Sequence, residues 1–107
     1  MPRRSPRART VRRRLGREEA RQADEREKLA LAEPGGAPDR PLAVDSPAQV
    51  DVIAERTRCA RCGESMRLER HDAAVVDGAR LRVAHLVCVA CGHARRVYFR
   101  LAPGLLH

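Results

Sequence analysis

The chain has 107 residues, with 22 basic and 14 acidic side chains and a formal net charge of +8. Its aromatic side chains are Tyr98 and Phe99, and alanine inflates the 43% hydrophobic fraction. At about 25 cal/mol per Å² of buried apolar surface, such a chain cannot build a core that encloses a substrate. A fold this small calls for a staple, and four cysteines are the candidates.

No apolar run approaches the roughly 18 residues that span a bilayer, and no apolar stretch follows the basic start as a secretory signal requires. The first 17 residues are arginine-rich and free of acids, in the manner of an organellar transit peptide. Against that, arginine outnumbers lysine 21 to 1 across the chain, with abundant alanine, proline and glycine. Such a bias marks a GC-rich genome, and the expectation is a cytoplasmic, bacterial protein.

Charge divides the chain into three parts. Residues 1–17 hold eight arginines and no acid, residues 18–55 are net acidic, and residues 56–107 are net basic. Residues 1–17 have too little apolar area to fold alone and read as a disordered basic arm. Residues 18–33 are strong helix formers, with Glu18 and Arg21 at i,i+3 and Asp24 and Lys28 at i,i+4. Leu15, Ala20, Ala23, Leu29 and Leu31 form no continuous stripe, so this charged helix is expected to be solvated. Residues 34–49 hold four prolines and two glycines and read as a linker. A folded domain is expected over residues 50–107.

Within that domain, Val50, Val52 and Ala54 alternate with polar Asp51, a weak strand signal. Met66 and Leu68 alternate with Arg67 and Glu69. Asp77-Gly78 is the strongest hairpin turn signal in the chain. Leu81 and Val83 follow it around Arg82, and Val97, Phe99 and Leu101 alternate with Arg96, Tyr98 and Arg100. Three to four short antiparallel strands are predicted, with no helix in this half.

The sequence reads Cys59-Ala-Arg-Cys62-Gly63, then 24 residues, then Cys88-Val-Ala-Cys91-Gly92. Two C-x-x-C pairs at this separation have the spacing of a four-cysteine zinc site. Two residues between sulfurs let the chain turn back, so that both thiolates reach one tetrahedral ion at about 2.3 Å. The glycine after each second cysteine suits a left-handed backbone position. Two disulfides, a thioredoxin-like redox pair and an iron site are the alternatives. Nothing suggests export, strands follow the cysteines where a redox pair wants a helix, and few aromatics could shield a redox iron.

With these residues in place, residues 56–102 resemble a zinc ribbon, two C-x-x-C-G knuckles around a β-hairpin with a third strand. The resemblance covers under half the chain. It implies a small metal-stabilised β fold, with Cys59, Cys62, Cys88 and Cys91 as ligands of one structural Zn²⁺. The family's members serve in transcription, ribosomes, polymerases and enzyme appendages, so the resemblance does not fix a function. Its transcript-cleavage members carry adjacent acids at the hairpin tip. This chain has Asp77 alone beside Gly78, a departure that removes that activity from the expectation.

Four thiolates leave no open coordination position, so no water is activated. Arg58, Arg61, Arg95 and Arg96 flank the knuckles and read as counter-ions to the thiolates. His93 is expected near the site as a non-ligand, and His71 and His85 as packed or solvated. His71-Asp72 does not make a catalytic dyad, and no serine elbow or phosphate loop is present. The protein is therefore expected not to be an enzyme. The basic arm (Arg3, Arg4, Arg7, Arg9, Arg12, Arg13 and Arg14) supplies charge for salt-dependent contact with DNA or RNA, or with a ribonucleoprotein or transcription assembly. Arg96, Tyr98 and Arg100 add one aromatic between two guanidiniums on a strand face. The alternative is a protein–protein adaptor that docks through the ribbon on a larger complex without touching nucleic acid. Neither a membrane nor a small-molecule substrate is expected.

Overall fold

Arginine, glutamate, alanine and leucine fill the N-terminal third, and all favour helix. The computed structural model, which describes residues 8–102, places them in one helix, α1 (Ala8–Ala32). The helix begins well inside the segment expected to be a disordered arm, so residues 8–17 are helical; Arg3, Arg4 and Arg7 lie outside the described residues. Gly16 does not break it, because one glycine costs only about 1 kcal/mol against alanine and strong helix formers lie on both sides. Ala23 is the one residue of α1 that is buried. The helix stops at Pro34-Gly35-Gly36, where the Arg40 Nη2 donates to the Leu31 carbonyl at 2.8 Å and satisfies one of the unpaired carbonyls of the last turn.

The expected linker is ordered. It contains strand β1 (Leu42–Val44) and the start of α2 (Pro47–Arg56). Ser46 has an extended backbone (φ −149°, ψ 157°) and Pro47 sits in the first turn of α2, where its missing N–H costs nothing. The expected strand around Val50 is therefore a helix. Val50 and Ala54, one turn apart, are both 0% exposed, whereas Val52 is 46% exposed. A helical period explains that division, and an alternating one does not.

Three long strands complete the fold, β2 (Met66–Val76), β3 (Ala79–Cys88) and β4 (Ala94–Leu101). Asp77 (φ 50°) and Gly78 (φ 80°) join β2 to β3 with both central residues left-handed, the geometry of a two-residue type I′ hairpin. The sheet order is β1-β4-β3-β2. The hairpins are antiparallel as expected, but β1 pairs with β4 in parallel, with Leu42 opposite Phe99, so the sheet is mixed rather than antiparallel throughout.

The core lies between α2 and one sheet face. Phe99, Leu86 and Val50 are its largest fully buried side chains, and Val44, Ala54, Met66, Ala84 and Val97 pack with them. Two cysteines, Cys59 and Cys88, belong to the same cluster. The opposite face carries Arg96, Tyr98 and Arg100 of β4, as the alternation predicts, with both arginines exposed and Tyr98 half-buried. A bulge at Glu69, where the register with β3 shifts between Leu68 and Arg70, keeps Leu68 on the core face and puts Arg70 on the other. Among the described residues, no helix is long and apolar enough to cross a membrane.

Candidate metal centre

The two C-x-x-C segments fold into matching turns. In the first, the Gly63 amide donates to the Cys59 carbonyl at 2.8 Å and the Cys59 amide to the Glu64 carbonyl at 2.8 Å. In the second, Gly92 donates to Cys88 at 3.1 Å and Cys88 to His93 at 2.9 Å. Both glycines are left-handed, Gly63 at φ 80° and Gly92 at φ 76°, a conformation that strains a residue with a Cβ. The Val89 amide donates to the Ser65 carbonyl at 3.2 Å and ties the second turn to the segment that leaves the first. Hydrogen bonding inside each turn fixes the pair of sulfurs, and the sheet brings the pairs together.

The Sγ atoms of Cys59, Cys62, Cys88 and Cys91 all lie within 4.8 Å of one another. Cys59 and Cys91 are 3.7 Å apart, and Cys62 and Cys88 are 3.3 Å apart. Sulfurs at about 2.3 Å from a tetrahedral ion stand about 3.8 Å from each other, so the cluster has the size of a metal-binding tetrahedron. All four cysteines are free and no pair is at disulfide distance. Each pair contributes one buried sulfur, Cys59 or Cys88, and one exposed, Cys62 or Cys91.

Electrostatics agree with a cation site. Backbone amides of Cys91 and Ala90, both 3.4 Å from the Cys88 sulfur, favour its thiolate, and its pKa falls to about 6. The Glu64 amide favours the Cys62 thiolate as well. There the hydrogen bond shared with Cys88 prevails, together with burial and the Cys91 and Cys59 thiols, and Cys62 is pushed up to about 12. Four sulfurs this close cannot all ionise without a positive ion among them. With one, every sulfur is a thiolate, and the set is soft and closed.

The acidic helix reaches this site, which the sequence did not signal. Arg61, between the cysteines of the first turn, donates from Nη1 to Asp24 at 2.6 Å and to Glu27 at 2.8 Å, both on α1. These carboxylates, Asp24 first and then Glu27, raise its pKa. The other oxygen of Glu27 lies 3.2 Å from Nε2 of His93, beside the second turn. Arg26 donates back to the Arg61 carbonyl. A cleft between α1 and the exposed sulfurs of Cys62 and Cys91 has Ala20, Ala23 and Arg61 in its wall.

The arginines flanking the cysteines thus have separate roles. Arg61 is paired with acids of α1, and Arg58 donates to the Ser65 hydroxyl at 2.9 Å. The Nε of Arg95 is buried without a partner. His71 pairs with Asp51 on α2 at 3.0 Å, not with its neighbour Asp72, which binds Arg70 Nε at 2.6 Å and His85 Nε2 at 3.1 Å. Of the expected phosphate-contacting residues, Arg9, Arg12, Arg13 and Arg14 line up on exposed turns of α1, away from the β4 trio.

Compared with family models, curated proteins and solved structures, the chain matches none.

Proposed function

We propose that the chain is a non-catalytic zinc-ribbon protein that associates with nucleic acid, either free or within a ribonucleoprotein or transcription assembly. The four-sulfur cluster supports the zinc reading. Its donor set is all thiolate, its size is that of a tetrahedron, and it belongs to a core of few large side chains that metal binding would stabilise. Four protein ligands leave no position for a reacting water, in keeping with a structural role.

Polyanion binding rests on one observation, the uncompensated charge on the first turns of α1. Arg9, Arg13 and Arg17 recur at every fourth residue, with Arg12 and Arg14 beside them, all exposed. Like charges at i,i+4 destabilise a helix, and no acid occurs before Glu18 to offset them. A phosphate backbone supplies the missing counter-charge and gains by counterion release.

Elemental analysis with native mass spectrometry tests the first half of this reading, and salt-dependent binding to a labelled oligonucleotide tests the second. One zinc per chain and an affinity that falls steeply with salt are the expected results. Iron, or no affinity at low salt, would overturn the corresponding half.

The adaptor reading has its own support in strand β2. It is an edge of the sheet, and its Val75 is 71% exposed. An edge strand can accept a partner strand. Capture of a protein partner that survives high salt, without affinity for oligonucleotides, would favour it.

A further inference from the structure

The sheet face opposite α2 carries a second basic surface, assembled from residues far apart in the chain. Arg70 pairs across β2–β3 with His85, and His85 pairs across β3–β4 with Arg96. Directly opposed residues share a face, so the three side chains form one row across three strands, with neighbours about 4.8 Å apart. The row borders a hollow of about 260 Å³, with Val87 and Ala94 also in its wall. Asp72 accepts from Arg70 Nε at 2.6 Å and lies 3.1 Å from His85 Nε2, while Arg70 Nη2 stands 3.4 Å from the same ring nitrogen; this fixes the guanidinium and leaves its Nη1 facing outward from the pair. Among the described residues, no carboxylate pairs with Arg96. Arg67 and Arg100 lie on the same face, and its acids, Glu69 and Asp72, do not match the four arginines in number.

A second hollow of about 220 Å³ adjoins the first, sharing Ala94, Arg95 and Arg96 with it. It lies between the C-terminal turns of α1 and the outer side of β4. Ala30, Leu31, Ala60 and Ala94 give it apolar walls, Glu27 and His93 also border it, and Tyr98 supplies a phenol ring. One hollow is mainly cationic, the next is mainly apolar with a tyrosine, and Arg96 stands at both.

We propose that these two hollows together hold one unpaired nucleotide of a single-stranded nucleic acid. The phosphate lies on Arg70, His85 and Arg96, and the base enters beside Tyr98. The two hollows complement the two ends of a nucleotide. A phosphate needs cationic donors at close spacing, a base needs an apolar slot with a ring to stack on, and a nucleotide joins the two at short range. A base inside a duplex cannot enter such a slot without leaving its stack, so this surface selects single strands. The proposal rests on the nucleic-acid reading above and adds a site, separate from the arginines of α1, and a strand preference.

The test uses the full zinc-loaded chain and fluorescence anisotropy with three labelled probes, a 12-nucleotide single strand of mixed sequence, the same sequence as a duplex, and a 12-residue polyglutamate peptide. Arg70→Gln and Arg96→Gln are each expected to weaken single-strand binding about five- to tenfold, within the range for removing one charge-assisted hydrogen bond, and to leave duplex binding within about twofold. A 2-aminopurine placed in the single strand should be quenched by the native chain and less so by Tyr98→Leu, a readout of stacking that does not depend on affinity. Metal content and far-ultraviolet dichroism identify any variant that has not folded; Tyr98→Phe, which keeps the ring, should restore the quenching.

Equal single-strand affinity for native chain and arginine variants overturns the proposal, as does tight polyglutamate binding that the same variants abolish. If binding is lost only on replacing Arg9, Arg13 and Arg17, the sheet site falls and the broader reading stands. If the native chain binds neither nucleic acid, both fall.

Discussion

Glu27 on α1 lies 2.8 Å from Nη1 of Arg61, which sits between the two cysteines of the first C-x-x-C turn. Its second oxygen faces His93 by the second turn at 3.2 Å. One carboxylate thus spans both halves of the cysteine cluster and carries the helix to the metal centre. Arg61→Ala removes the ion pairs with both Asp24 and Glu27 at once. The expected result is faster amide exchange across residues 20–30 of α1, with the sheet and the metal content unchanged. Unaltered exchange would mean that α1 is held by something other than these ion pairs.

The same geometry makes the helix respond to metal. The position of Arg61 depends on the turn that Cys59 and Cys62 form, and that turn holds two of the four sulfurs placed to bind a metal ion. Removing the metal with a chelator should therefore release α1 as well as loosen the cysteine turns. A spin label or fluorophore at Gln22 would report this as increased mobility on chelation and recovery on adding zinc. Mobility that does not change on chelation would sink the coupling.

The two cysteine pairs are asymmetric, and that asymmetry can be measured. Cys59 and Cys88 are 3% and 2% exposed and pack in the apolar core, whereas Cys62 and Cys91 are exposed. Replacing any of the four by serine removes a ligand. Cys59→Ser and Cys88→Ser also place a hydroxyl in the core, where it must find a partner. These two variants should melt at lower temperature than Cys62→Ser and Cys91→Ser when all four are compared without metal. Equal melting points would place the cost in ligation alone.

The cysteine spacing, the glycine after each pair, the Asp77-Gly78 turn and the alternation of Val97, Phe99 and Leu101 are legible in the sequence because each is a local pattern with a local cause. Helix α2 is not. Ser46-Pro47 is a helix start as well as a linker signal, and the short run of Val50, Val52 and Ala54 satisfies a period of two while Val50, Ile53 and Ala54 satisfy a period of 3.6. The sheet decides between them by burying Val50 and Ala54. Residues 8–17 depart from expectation for another reason. Their low apolar content excludes a core, but it does not exclude a helix continuous with a stronger helical segment. Neither the docking of Asp24 and Glu27 on Arg61 nor the row of Arg70, His85 and Arg96 has a sequence signal. Both combine residues from separate elements, which only the fold brings together.

The core itself invites a stability measurement. Phe99 is 0% exposed, the largest of the fully buried side chains, and its strand is flanked by β1 on one side and β3 on the other. Phe99→Ala should lower the unfolding free energy of the metal-loaded protein by about 3–5 kcal/mol, the usual cost of emptying a phenylalanine site. Denaturant titration followed by dichroism would give the value. A loss below about 1 kcal/mol would mean that the metal, rather than this core, carries the stability of the sheet.

Salt dependence separates the two basic surfaces. Neutralising Arg9, Arg13 and Arg17 together with glutamine removes three charges from one helix face without touching the cysteine cluster. For a duplex probe, the slope of log affinity against log salt falls by about 0.9 for each phosphate that is no longer neutralised, so the triple variant should show a slope shallower by about 2.7. Neutralising Arg70 and Arg96, which share one phosphate, should leave the duplex slope as it was and reduce the single-strand slope by about 0.7. A triple variant with an unchanged duplex slope would show that the helix arginines do not meet phosphates, and that their like-charge spacing along α1 needs another explanation.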